Sequence, residues 1–320
     1  MYLYVILLLV AAEIIYLLLA KRFDFIAVKK ETPGSSNTRQ ALKGAGIVFW
    51  MAALLYAVFN PSELAWWFLA GITLIALVGF WDDAREASTW ARLLLHLAAA
   101  SIAFHVAGVF EGITWWNVAV AYVGFIGMLY AFKFMDHIHG MTGLYALAVL
   151  LPLLYINHYM EPFAEEQFLA YPIFAASVFL IFNLGSQSVT GDVGSLSIAS
   201  WIALAIVMLI AKTGEWVWIG LLMVYGVDTI MTLGHGTFAR KPLLKREKLH
   251  FYQVLADELR LDDRLVASIY AVLQLGLSTL LIAFYPTMGT GIFWILLGVL
   301  VLAYLAKFRI LRVVKHLERR

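Results

Sequence analysis

Aspartates stand at the ends of apolar stretches in three short segments of this sequence. They are "GFWDDAREAS" with Asp82 and Asp83, "KFMDHIHGMTGL" with Asp136, and "TGDVGSLSIAS" with Asp192. An uncompensated charge costs roughly 2.5–3.5 kcal/mol at mid-membrane on the insertion scale, so such residues need a reason to be there. Mg²⁺ usually binds one or two carboxylates together with phosphate oxygens and water. The segments therefore indicate phosphate chemistry, and the alternative for each is an ordinary turn or helix end.

The segment around Asp192 combines an acid with flexible backbone. Gly191 and Gly194 flank it, and Ser195 stands where an N-cap would start the eighth helix. Glycines permit positive φ and close backbone approach, and a helix N-terminus offers free N–H groups to a phosphate. The string predicts a phosphate or Mg²⁺ site, although a plain turn with a capping aspartate also fits it.

Asp82 and Asp83 are neighbours at the end of the third predicted helix. Adjacent helix positions point about 100° apart, so the two cannot chelate one ion by themselves. At least one of them should serve something outside its helix; the alternative is a membrane-boundary stop with an N-cap role for the next segment. Asp136 is followed by Gly140 and Gly143 ahead of a new helix.

A basic segment supplies the opposite charge. Its sequence, "FARKPLLKREKLHFYQVLADELRLDDRL", carries Arg240, Lys241, Lys245, Arg246, Lys248 and His250, followed by an amphipathic run that could lie on the membrane surface. Membrane topology alone would explain many of these residues. Opposite several aspartates, they could instead hold a diphosphate between a metal and basic side chains.

The composition is that of an integral membrane protein. Of 320 residues, 63% are hydrophobic and 14% are charged, with a mean hydropathy of +0.85. The pattern predicts an all-α polytopic protein with ten or eleven transmembrane helices, in a single membrane-embedded domain over 1–320. Eleven helices are placed near 2–20, 44–60, 64–81, 90–109, 115–134, 141–159, 167–184, 194–211, 215–233, 266–285 and 289–308. Cysteine is absent, which excludes disulfides and thiolate chemistry.

The basic residues predict the orientation. All lysines and arginines except Lys212 lie in the loops after the odd-numbered helices or in the C-terminal tail. By the positive-inside rule these segments face the cytoplasm, and the N-terminus lies outside. The aspartate segments share that face, which favours a candidate site in cytoplasmic loops.

The order of these motifs resembles a known family. The pair DD, then F-M-D-x-I-x-G, G-D-V-G-S and a basic loop ending in H-F-Y-Q is similar to the polyprenyl-phosphate N-acetylhexosamine-1-phosphate transferases of glycosyltransferase family four. "SSNTRQALKGAGI" resembles that family's first loop. The resemblance implies that a lipid phosphate, undecaprenyl phosphate, attacks the β-phosphorus of a UDP-sugar with loss of UMP. A divalent cation and basic side chains would neutralise the charges that meet there.

The resemblance also implies roles for residues and partners. It makes Asp192 a ligand of Mg²⁺, with Mn²⁺ as the substitute, and makes Asp82, Asp83 and Asp136 catalytic. The expected substrate contacts are Lys133, His139, Asn183, Arg240, Lys248 and His250. The expected partners are a UDP-sugar, undecaprenyl phosphate and the lipid bilayer, with a homodimer as a further candidate and no nucleic acid.

Five positions depart from the family pattern. Lys133, His137 and His139 replace its usual Asn, Gly and Asn or Asp, and Glu247 and Lys248 stand where it has His and Arg. A lysine could add a phosphate contact, whereas Glu247 would repel a diphosphate. The alternatives are therefore a changed nucleotide-sugar preference or a catalytically degenerate relative. A transporter with Asp136 in a proton relay is a third reading; such sites usually lie near the bilayer midplane.

Overall fold

The computed structural model describes residues 1–23, 27–29, 40–85, 88–110, 115–185, 188–238 and 250–317. Within them the chain forms helices α1 (Tyr2–Arg22), α2 (Ile47–Phe59), α3 (Glu63–Ala84), α4 (Thr89–Val106), α5 (Trp115–Met135), α6 (Met141–Tyr159), α7 (Glu166–Asn183), α8 (Gly191–Thr213), α9 (Met223–Phe238), α10 (Phe251–Gln253), α11 (Asp263–Met288) and α12 (Gly291–Leu317). A 3-10 helix, Trp216–Leu222, leads into α9, and a π-helical turn, Val254–Glu258, follows α10. Three short strands are β1 (Ala27–Lys29), β2 (Gln40–Lys43) and β3 (Ser188–Val189).

The predicted all-α polytopic membrane architecture is confirmed. In the described part of the chain, nine helical segments are long and apolar enough to cross a membrane, and Ile47–Phe59 and Gly291–Lys307 are shorter apolar helices. Together they correspond to the eleven segments predicted. The predicted span 215–233 is a 3-10 helix continued by α9, and a helical pattern does not distinguish the two.

One local prediction needs correction, and one local feature was not predicted. The eighth helix begins at Gly191, so Ser195 is not its N-cap; its hydroxyl donates to the Gly191 carbonyl over 3.1 Å. The small sheet was not predicted. In it β1 pairs antiparallel with β2, and β2 pairs parallel with β3 through Leu42–Ser188 and Lys43–Val189. Strands of two to four residues carry too little alternation to be recognised.

Helix α8 lies at the centre of the bundle. It is apolar on all sides, as a helix enclosed by other helices should be, and its Trp201 is fully buried and donates to the Phe168 carbonyl over 2.9 Å. Its serines satisfy their hydroxyls within the helix, as when Ser197 donates to the Val193 carbonyl over 2.6 Å. The N-terminus of α8 is therefore held firmly by the core.

Glycines bring the backbones of α2, α3 and α8 together. A Cβ atom added to Gly46 would lie 2.4 Å from the Gly194 Cα, and one added to Gly79 would lie 2.6 Å from the Val193 Cα. Gly191 has a φ of +71°, which favours glycine. Both predicted uses of glycine in the G-D-V-G-S segment, positive φ and close approach, are confirmed. This packing places the end of α3 against the start of α8.

Candidate active site

Three helix ends bring a lysine and two aspartates together. Lys133 Nζ, at the end of α5, lies 2.5 Å from Asp82 Oδ2 of α3 and 2.8 Å from Asp192 Oδ2 of α8. Arg92 Nη1 of α4 lies 3.3 Å from the same Asp82 oxygen. The Asp82 side chain is 6% exposed, whereas Lys133 and Asp192 are 19% and 22% exposed. A ligand approaching this end of the bundle can reach the last two.

Asp83 points to a different partner. Its Oδ1 accepts from the Asp192 backbone N–H over 2.9 Å and lies 2.9 Å from Lys43 Nζ, and its Oδ2 accepts from the Val193 N–H over 3.0 Å. The side chain is completely buried. Asp83 thus satisfies free N–H groups at the positive end of α8. The two neighbouring aspartates diverge as expected, and each serves another helix.

The alternative that the aspartate pair caps the next helix was wrong. Helix α4, the next segment, is capped by Ser88, whose hydroxyl accepts from the Ala91 N–H over 3.2 Å. Asp83 caps α8, which begins more than a hundred residues later. Asp83 therefore positions the start of α8 beneath the site, and its expected catalytic role stays a prediction.

Asp136 lies in the turn between α5 and α6. Its Oδ1 accepts from the hydroxyls of Thr142, over 2.6 Å, and Thr190, over 2.7 Å. Burial raises the pKa of Asp136 to about 7; the threonine hydrogen bonds oppose this shift, and the nearby carboxylates of Asp192 and Asp83 add to it. A carboxyl that titrates near neutrality can accept or donate a proton under working conditions.

The turn after Asp136 is braced from α7. Gly140 has a φ of +85° and donates its N–H to Asn183 Oδ1 over 2.6 Å, while Asn183 Nδ2 donates to the Ser188 carbonyl over 2.8 Å. Asn183 is 3% exposed and His139 is 8% exposed. Both were predicted as substrate contacts, and the structure places both inside the protein, with Asn183 joining the turn to β3.

His250 is held by an aspartate that the sequence interpretation missed. Asp228 of α9 accepts from the Phe251 N–H over 3.0 Å and from the Tyr270 hydroxyl over 2.6 Å, and its Oδ1 lies 3.4 Å from His250 Nδ1. Asp228 is 2% exposed. The available signal was a single acid within an apolar stretch, "MVYGVDTIMT", since an intramembrane carboxylate is by default a functional candidate. Asp228 lies within a helix, so a pattern of acids at helix ends does not include it.

Aromatic rings connect His250 to the rest of the site. The His250 ring stacks on Phe134 at a centroid distance of 6.1 Å and on Tyr252 at 5.8 Å. The Tyr252 hydroxyl donates to the Phe134 carbonyl over 3.0 Å. This places His250 beside the end of α5, against Phe134, the residue that follows Lys133. Arg240, Lys248 and Glu247 lie outside the described residues.

The donor set does not match a Mg²⁺ site. Across the ranges that the structure describes, no three His, Asp or Glu side chains come together to hold an ion. The carboxylates of Asp82 and Asp192 both pair with the ammonium of Lys133. Magnesium ordinarily takes carboxylate oxygens that no other cation occupies. The expectation of Mg²⁺ or Mn²⁺ at Asp192 stays a prediction.

Comparison with known proteins agrees with the motif order. Residues 65–210 match a family model described as "Glycosyl transferase family 4". The match contains Asp82, Asp83, Lys133, Asp136 and Asp192, and it excludes the first loop and His250, whose part of the resemblance stays a prediction. No curated protein matches the chain.

The match and the helical bundle lead to one coarse conclusion about activity. The family supports a polyprenyl-phosphate sugar-phosphate transferase in general, with a nucleotide-sugar donor and a lipid-linked acceptor in a membrane. The aspartate cluster lies within the matched residues, in a multi-pass membrane protein. Residues 65–210 of the chain thus match glycosyl transferase family 4.

Proposed function

We propose that the protein transfers an N-acetylhexosamine 1-phosphate from a UDP-sugar to undecaprenyl phosphate. The products are an undecaprenyl-diphosphate-sugar and UMP, and the reaction initiates a cell-envelope polysaccharide such as O-antigen. One observation carries the proposal: α3, α5 and α8 bring Asp82, Lys133 and Asp192 to one end of a membrane bundle. A lipid-anchored phosphate and a water-soluble donor can meet only at such an end.

The reaction requires charge neutralisation more than covalent chemistry. An oxygen of the lipid phosphate bonds to the β-phosphorus, the bond from that phosphorus to the bridging oxygen breaks, and UMP leaves with the electron pair. Lys133 and Arg92 are the cations that face the cluster among the described residues. They oppose the negative charge of the phosphates, as transferring phosphoryl groups require.

Asp136 is the proposed proton acceptor. A phosphate monoester has a second pKa of about 6 and is mostly dianionic at neutral pH, so only its monoanion has a proton to lose. With a pKa of about 7, Asp136 can take that proton. Asp83 accepts from the Val193 N–H and Asn183 accepts from the Gly140 N–H, so they position the start of α8 and the turn that follows Asp136.

The site end of the bundle is proposed to face the cytoplasm of a bacterial inner membrane. The support is the positive-inside bias, because every lysine and arginine except Lys212 lies in segments on that side. The placement of the aspartate cluster at a helix end, away from mid-membrane, argues against the transporter alternative. A homodimer stays a prediction, checked by the mass of the detergent-solubilised protein.

The test is release of UMP from a panel of UDP-N-acetylhexosamines by the purified full-length protein with undecaprenyl phosphate. We expect UMP together with a sugar-labelled lipid from one donor. Release of UDP would contradict transfer of a sugar 1-phosphate. Absence of any product from folded protein across the panel would overturn the proposal in favour of a catalytically degenerate relative.

The role of Asp192 is tested in the same assay. Asp192→Asn should abolish turnover while the melting temperature in detergent stays near that of the unaltered protein, because Asp83 binds the Asp192 backbone and not its side chain. The matched control is Glu166→Gln, at an exposed carboxylate at the start of α7, the opposite end of the helix whose Asn183 contacts the site turn. Near-normal UMP release by Asp192→Asn would show that its carboxylate is not needed.

A further inference from the structure

We propose that Lys133 is a built-in cation that occupies the position between Asp82 and Asp192 where a divalent metal would otherwise bind. Its ammonium then contacts the donor diphosphate directly, and the site does not need a metal at that position. The inference rests on the proposed transferase function for the identity of the ligand. The position of the Lys133 ammonium between the two carboxylates is independent of that function.

The first support is geometry. The ammonium lies 2.5 Å from one carboxylate and 2.8 Å from the other, and these carboxylates come from different helices. The distance to Asp192 is that of a charge-assisted hydrogen bond, and the distance to Asp82 is shorter still. A divalent ion that bridged the same two oxygens would have to displace Lys133.

The second support is the balance of charge. Two carboxylates, Asp82 and Asp192, face two cationic side chains, Arg92 and Lys133, and the adjoining Asp83 pairs with Lys43. Counted over the described residues, these side chains carry no net charge in the absence of a bound ion. A dication entering it would leave the Lys133 charge unpaired a few ångströms away, and like charges at that distance repel strongly in a partly buried site.

The third support is the donor capacity of the ammonium. A lysine has three N–H donors, and Asp82 and Asp192 account for two of them among the described residues. Lys133 is 19% exposed, so its remaining donor can reach a phosphate oxygen. A neutral side chain at this position could not balance the two carboxylates, and an added metal would then be required.

The test is a titration with Mn²⁺ followed by electron paramagnetic resonance, on the full chain in detergent without substrate. We expect the unaltered protein to leave Mn²⁺ free in solution. Lys133→Asn should bind one Mn²⁺ per chain about 10- to 100-fold more tightly, the range over which groups adjoining a metal site change its affinity. Lys133→Met, which keeps the aliphatic length, is the second variant should Lys133→Asn not fold.

Two controls separate this effect from a general loss of positive charge. Lys43→Asn removes a lysine that adjoins the cluster and pairs with Asp83 at 2.9 Å, and it should gain no Mn²⁺ site. Lys133→Asn combined with Asp192→Asn should lose the site that the single variant gained. Tight Mn²⁺ binding by the unaltered protein that Asp192→Asn abolishes would overturn the inference. So would a folded Lys133→Asn or Lys133→Met variant with no gain in affinity.

An activity arm separates this inference from the proposed function. UMP release by the unaltered protein should persist in EDTA, whereas the Lys133→Asn variant should require added Mg²⁺. Loss of UMP release by the unaltered protein in EDTA, with recovery on adding Mg²⁺, would overturn the inference. If no form of the protein releases UMP with any donor, the proposed function fails, and the Mn²⁺ titration still decides the role of Lys133.

Discussion

Asp82 and Asp83 are adjacent in sequence and belong to two different kinds of structure. Asp83 lies in a glycine seam, the contact of Gly46, Gly79, Gly191 and Gly194, where it is completely buried and bonded to backbone N–H groups. Asp82 lies in a lysine-bridged cluster with Lys133, Asp192 and Arg92, where its partners are side chains that solvent partly reaches.

The seam determines where the helix backbones lie, whereas the cluster determines which charges face a ligand. The seam holds backbones in direct contact, because a Cβ added at Gly46, Gly79 or Gly194 would meet backbone. The cluster is made of side chains that can exchange partners when a ligand arrives. We therefore expect changes in the seam to act on folding and changes in the cluster to act on turnover.

The largest effect is expected from Gly194→Val. An added Cβ would lie 2.4 Å from the Gly46 Cα, and backbone cannot move aside as a flexible side chain can. We expect a loss of more than about 4 kcal/mol, the range of the most damaging substitutions, and no folded protein. Size-exclusion profiles in detergent measure this. Gly226→Val is the control, because a Cβ there has nothing within 4 Å; equal behaviour of the two variants would break the distinction.

A smaller effect on stability is expected from Asp83→Asn. The amide can accept one of the two N–H groups, over 2.9 and 3.0 Å, but loses the ion pair with Lys43. The cost should be about 2–3 kcal/mol, as for hydrogen bonds to a charged group. Asp82→Asn, measured by melting temperature alongside it, should lower stability less and abolish UMP release. A reversed order would show that the cluster, not the seam, supports the fold.

The smallest effect concerns pH and Asp136. Its pKa is raised in the folded protein, from the ordinary 3.8 to about 7, so the folded state holds a proton that the unfolded state has lost between these values. Stability should therefore fall as pH rises across this interval and stay level above it. The slope of this change is at most about 1.4 kcal/mol for each pH unit crossed.

Asp136→Asn is the variant that checks this pH dependence. It keeps an oxygen for the Thr142 and Thr190 hydroxyls and removes the titration. Its melting temperature should vary less between pH 4.5 and pH 7.5 than that of the unaltered protein. Identical pH profiles for the two proteins would show that Asp136 does not titrate in this interval.

The sequence was sufficient for the elements and for the end of the bundle that carries the site. Apolar lengths give membrane helices directly. Because successive spans alternate in direction, the loops after the third, fifth and seventh helices, which hold Asp82, Asp136 and Asp192, had to share an interface. Glycines on both sides of Asp192 predicted close packing because few other residue types permit it.

Partners distant in sequence could not be predicted. The cap of α8 by Asp83 joins residues 109 positions apart, and nothing local to either one signals the contact. Lys133 was recognised as unusual, but its place between two carboxylates depends on the relative rotation of α3, α5 and α8. Asn183 and His139 carried motif positions without revealing that they point inward.

The bridge made by Lys133 also couples helices. One ammonium from α5 joins a carboxylate of α3 to a carboxylate of α8, so these helices share a contact at the site end. A ligand that draws the ammonium toward itself weakens at least one of those contacts. Ligand affinity and helix spacing are then thermodynamically linked, and by reciprocity a change that pulls α5 away from α8 alters ligand affinity by the same factor.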